Sequence, residues 1–148
     1  MSRPILHLHQ RQYDAIAAHA RSSYPEECCG FLFGLEVGSE RTIHEVHPIV
    51  NSREDNKERR FLITPDDFIA AEARARSLDL NLIGFYHTHP DHPAIPSDFD
   101  REHALPYYSY IIQSVRRSEP AEVRSYQLND DRTGYHEEKV IIHNRVAV

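Results

Sequence analysis

The chain has 148 residues, a formal net charge of −6, and 40 % hydrophobic and 27 % charged residues. This composition suits one soluble domain spanning 1–148 with its own core, and it excludes a membrane helix, because no stretch approaches the roughly 18 apolar residues a span needs. The basic residues are scattered, with pairs only at Arg59-Arg60 and Arg116-Arg117 and no aromatic platform beside them, which argues against nucleic acid as a partner.

Met1 to Gln10 lacks the continuous apolar core of a secretory signal. The two cysteines, Cys28 and Cys29, are adjacent, and vicinal cysteines bridge each other only with strain. Two thiols without a signal suit a reducing compartment, so the cytoplasm is expected. They are too few for a four-cysteine zinc site, which turns attention to the 11 histidines.

From Gln10 to Ser22, Tyr13, Ile16, Ala17 and Ala20 recur at helical spacing and predict an amphipathic helix ended by Tyr24-Pro25. Cys29-Gly-Phe-Leu-Phe-Gly34 predicts a buried strand, and Arg41 to Val50 a second. Asn51 to Arg60 is polar without period and predicts a surface loop, followed by a brief extended piece over Phe61 to Ile63. Thr64-Pro65-Asp66-Asp67 is a helix start, with Thr as N-cap, Pro in the first turn and acids beside it. Phe68, Ala71, Ala75 and Leu78 give that helix its apolar stripe. Leu80 to His89 predicts a central strand, and Ser97 the N-cap of a short helix through Ala104. Strands follow at Tyr107 to Val115, Glu122 to Leu128 and Tyr135 to Ile142, the last two joined by a hairpin-type loop. The order predicts an α+β or three-layer α-β-α domain around one sheet.

The chemistry concentrates in His87-Thr88-His89, seven residues, Ser97, two residues, Asp100. Strand side chains alternate, so His87 and His89 share a face and Thr88 packs on the other. A helix beginning at Ser97 turns the Asp100 carboxylate the same way as Ser97. Two imidazoles and a carboxylate make three corners of a tetrahedral zinc site, with the fourth left open for water as in catalytic centres. A carboxylate is also needed to move protons, and Glu26 and Glu27, just ahead of the first buried strand, are the candidates; alternation alone does not choose between them. The Ser97 hydroxyl can donate to an oxyanion. Composition alone would produce this spacing roughly four times in a thousand such chains, so it carries weight that a lone His-x-His would not.

Glu27 together with His87-Thr-His89-Pro and Pro96-Ser97-x-x-Asp100 resembles the JAMM motif of the MPN-plus metalloproteases. Pro25-x-Glu27-x-Cys29-Gly30-x-Leu32-x-Gly34 is similar to the first-strand signature of the bacterial branch, and Asn51 with Arg60-Phe61-x-Ile63-x-Pro65 resembles its segment before the second helix. The resemblance implies a cytidine-deaminase-like α/β/α fold with a mixed sheet. It implies one Zn2+ per chain at His87, His89 and Asp100, Glu27 rather than Glu26 as general acid/base, and Ser97 supporting the oxyanion. It implies a peptidase or isopeptidase acting at the Gly-Gly tail of a ubiquitin-like or sulfur-carrier protein. Two other classes compete. A non-catalytic MPN-type scaffold typically lacks the metal ligands, which are intact here. A zinc deaminase wants His-x-Glu with Pro-Cys-x-x-Cys, and neither is present.

Overall fold

A computed structural model describes residues 4–49 and 63–144. The elements are β1 (Ile5–His9), α1 (Gln10–Ser23), β2 (Cys29–Val37), β3 (Glu40–Ile49), α2 (Pro65–Ser77), β4 (Asn81–Pro90), α3 (Asp98–His103), β5 (Ser109–Arg116), β6 (Glu119–Leu128) and β7 (Tyr135–His143). The helices and strands predicted within these residues are present, with ends moved by up to three residues. The loop predicted at 51–60, positions 61 and 62 of the extended piece, and Asn51 and Arg60-Phe61 of the motif segment lie outside the described residues. Strand β1 is additional. It alternates, with Leu6 and Leu8 fully buried and Ile5 and His7 half-buried on its other face.

The seven strands make one mixed, strongly curved sheet. Antiparallel ladders join β3 to β2, β2 to β4, β5 to β6 and β6 to β7. Parallel ladders join β4 to β5 and set β1 beside both β3 and β7. Helix α1 lies on one face, where Ile16 packs with Leu6, Leu8, Leu32, Ile43, Ile83, Tyr86 and Ile111. Helix α2 lies on the other, where Ala71 and Ala75 meet Phe31, Phe33, Leu82 and Phe85. This is the helix–sheet–helix layering the element order predicts. Among the described residues, no helix is long and apolar enough to cross a membrane.

One irregularity decides which way the site faces. The β2–β4 ladder slips between Leu32 and Phe33, pairing Leu32 with Gly84 but Phe33 with Leu82. Leu82 and Ile83 lie on opposite faces, as alternation requires, but beyond the slip Phe85 joins Leu82, and Tyr86 joins Ile83. A one-residue slip inverts every later side chain. His87 and His89 therefore follow Phe85 toward the α2 side.

Helices α2 and α3 start by the same device. Thr64 Oγ1 accepts from Asp67 N at 3.1 Å while Asp67 Oδ2 accepts from Thr64 N at 2.9 Å. Ser97 Oγ accepts from Asp100 N at 3.0 Å while Asp100 Oδ2 accepts from Ser97 N at 2.9 Å. Each is a capping box that satisfies amides no helical carbonyl can reach.

Candidate metal centre

At the C-terminal end of β4, three side-chain atoms converge. His87 Nε2 and His89 Nε2 are 3.1 Å apart, His89 Nε2 lies 3.1 Å from Asp100 Oδ2, and His87 Nε2 lies 3.3 Å from the same oxygen. Ligands about 2.0–2.2 Å from a tetrahedral zinc stand about 3.3–3.5 Å from each other, so the triangle is nearly of zinc size. Among the described residues, it is the only group of three or more His, Cys, Asp or Glu side chains that could hold a metal ion together.

The protonation pattern suits a cation. Pro93 O can only accept, so the 2.8 Å contact from His89 Nδ1 puts the imidazole proton on Nδ1. That bond leaves Nε2, across the ring, as the nitrogen turned toward His87 and Asp100. Burial lowers the pKa of His87, with the Asp100 charge acting against it, so His87 tends to neutrality. Two such nitrogens 3.1 Å apart repel unless a proton or a metal ion lies between them. Burial pushes the Asp100 carboxyl up, but His87, His89 and the Ser97 amide overrule it and hold the group well below the usual carboxylate range. Asp100 therefore stays anionic. The oxygen that closes the α3 capping box is the one that faces both imidazoles, so helix start and candidate ligand are fixed together.

Glu27 is buried, whereas Glu26 is exposed. Glu27 lines a cleft of about 490 Å³ with His89, His92, Pro93, Ile95 and Ser97, and Glu26 is not among its walls. Its position is set from β4. Thr88 N donates to Cys28 O at 3.0 Å and Cys28 N donates to Thr88 Oγ1 at 2.9 Å. Cys28 packs into the core on the α1 face, while Glu27, the residue before it, faces the cleft. Thr88, expected only to pack, thus ties the Glu27 segment to the ligand strand. Cys29 pairs with His87 and is buried; burial raises its thiol far above the ordinary value. Cys28 is buried too, and burial raises its pKa as well. His92 is exposed and also borders the cleft.

A second cavity of about 120 Å³ lies behind the same group, lined by His87 and Asp100 together with Phe85, Phe99, Ile112 and Tyr135, among others. Tyr110 of β5 also reaches this wall, and its hydroxyl accepts from Leu105 N at 2.8 Å. Nothing local in the sequence marks Tyr135 or Phe99 for this cavity, because they arrive from β7 and α3.

Residues 9–129 match the family model described as prokaryotic homologs of the JAB domain. The chain belongs to this family. JAB relatives include a desampylase of Haloferax volcanii, 33 % identical over 106 residues, which cover 68 % of this chain and 74 % of the relative. A CysO-cysteine peptidase of Mycobacterium tuberculosis is 30 % identical over 118 residues, covering 79 % and 78 %. The solution structure of a Desulfitobacterium hafniense protein superposes with a TM-score of 0.82 at 30 % identity, covering 95 % of this chain and 94 % of that one. The JAB assignment agrees with the JAMM/MPN resemblance drawn from the motif.

Proposed function

We propose that this chain is a zinc-dependent peptidase or isopeptidase that hydrolyses the bond at the C-terminal Gly-Gly of a ubiquitin-like or sulfur-carrier protein. The observation that carries it is the triangle of His87 Nε2, His89 Nε2 and Asp100 Oδ2, no side longer than 3.3 Å, beside a cleft shared by Glu27 and Ser97. Those three residues would hold the zinc. Zinc, when bound, lowers the pKa of water toward ~7 and polarises a carbonyl. Glu27 removes the proton of the attacking water and returns it to the leaving amine. Ser97 Oγ accepts from the Asp100 amide and so keeps its own proton, which it donates to the developing oxyanion. The substrate class is supported by the relatives named as a desampylase and a CysO-cysteine peptidase.

Elemental analysis of the wild type and His89→Ala tests the site. About one zinc per chain is expected in the wild type and nearly none in the variant. A wild type that carries no zinc and takes none up would overturn the proposal and favour a scaffold.

Ser97→Ala separates the two roles of that residue. The bond to Asp100 Oδ2 comes from the main-chain N–H of Ser97 and so survives the substitution. Zinc content is therefore expected to hold while kcat falls about 100-fold, the usual cost of one oxyanion donor. Ser97→Thr should restore most of the rate; loss of zinc in Ser97→Ala would show that the hydroxyl serves the ligand instead.

A further inference from the structure

We propose that Glu122 is a positioning residue for the metal centre, acting on His89 through the single peptide group that joins Pro93 to Ala94. Glu122 Oε1 accepts from Ala94 N at 3.1 Å. The carbonyl of that same peptide, Pro93 O, accepts from His89 Nδ1 at 2.8 Å. His89 Nε2, across the ring, faces His87 and Asp100. A carboxylate, an amide and an imidazole therefore stand in series behind one metal-facing nitrogen.

Hydrogen bonds in series polarise one another. Negative charge on the N–H side of the peptide shifts electron density onto Pro93 O. The stronger acceptor holds the His89 Nδ1 proton more firmly, and Nε2 becomes the better donor to a cation. Metal-bound histidines commonly rest on a carboxylate or a carbonyl. Here the carbonyl is used directly, and the carboxylate stands one peptide further back.

The relay is anchored around the peptide as well. Ala94 is fully buried against Ile112 and Tyr126, and Tyr126 Oη donates to Ala94 O at 2.8 Å. Ser114 Oγ donates to His92 O at 2.6 Å. The Glu122 carboxylate is 39 % exposed and also lies 3.3 Å from Arg124 Nε, so water and Arg124 share its charge. The effect belongs at the lower end of what such outer partners give.

This inference rests on the proposed metal site, and the test keeps the two apart. Zinc affinity is measured by chelator competition on the wild type, Glu122→Ala, Glu122→Gln and Tyr126→Phe. The exchangeable Nδ1 proton of His89 is followed by NMR in the cobalt(II)-loaded proteins. Glu122→Ala is expected to weaken zinc binding about 10-fold. Glu122→Gln, whose amide oxygen still accepts, should weaken it about threefold. Tyr126→Phe cuts the bond to Ala94 O, outside the relay, and should lower thermal stability without matching the affinity loss. The Nδ1 resonance should move in both Glu122 variants and stay in Tyr126→Phe. Wild-type affinity in Glu122→Ala, or equal losses in Tyr126→Phe and Glu122→Ala, would overturn the relay while leaving the metal site standing. If Glu122→Ala fails to fold, Glu122→Gln carries the same comparison. A wild type without zinc affinity would overturn both.

Discussion

Glu27→Gln is expected to lower kcat about 1,000-fold while leaving the zinc content unchanged, as the proposed role of general acid/base rather than metal ligand requires. The amide keeps the shape of the carboxylate and loses its ability to take a proton. Glu27 is buried at the wall of the cleft, and the Cys28–Thr88 hydrogen bonds fix the backbone beside it from β4. The variant should therefore fold like the wild type, and the loss should appear in the chemical step. The assay is release of the group that follows Gly-Gly in a carrier protein, read at saturating carrier, with metal content determined on the same samples. Full activity in Glu27→Gln would remove it from the proposed mechanism. Loss of zinc would instead place it among the ligands. Glu26→Gln is the companion control, because Glu26 is exposed and outside the cleft walls; its rate should match the wild type.

Much of the site was legible because its rules are local. Strand alternation put His87 and His89 together, and the cap signal at Ser97 placed Asp100 one turn on. The spacing between them is loop, and no local rule says how a loop folds back. The closure depends on Pro93 meeting His89, Ser114 holding His92, and Glu122 and Tyr126 holding Ala94, the last two contacts bridging 28 and 32 residues. The choice between Glu26 and Glu27 was equally out of reach of alternation, since it depends on Cys28 meeting Thr88 across 60 residues. The sequence does not mark β1, because His7 and His9 interrupt its short apolar run; its partners are β3 and β7, and only their presence makes it a strand. Alternation along β4 also hides the slip beside Gly84: the sequence reads as one regular strand, although its two ends follow opposite parities.

Gly84, beside that slip, is the basis of a second large effect. A Cβ at Gly84 would stand 1.8 Å from Ser109 O and 2.8 Å from Ser109 N. Both are backbone atoms, so no side-chain rotation relieves the clash. Gly84 and Ser109 are also the first pair of the parallel β4–β5 ladder. Gly84→Ala must therefore push the two strands apart at the root of the segment that carries His87 and His89. The expected cost is about 3 kcal/mol, which for a domain of this size lowers Tm by about 10 °C. Two other glycines calibrate the measurement. Gly38 has open space around it but a φ of +62, so Gly38→Ala should cost only about 1 kcal/mol, from backbone strain alone. Gly134 meets nothing closer than Asn129 Nδ2 at 3.7 Å, an ordinary contact, and Gly134→Ala should fall within about 0.5 kcal/mol of the wild type. Thermal denaturation of the three variants should rank them in that order. Zinc affinity should fall in Gly84→Ala and hold in the other two, because only that clash is transmitted along β4 to the imidazoles. A Gly84→Ala protein as stable as the wild type would mean that β4 and β5 do not approach this closely.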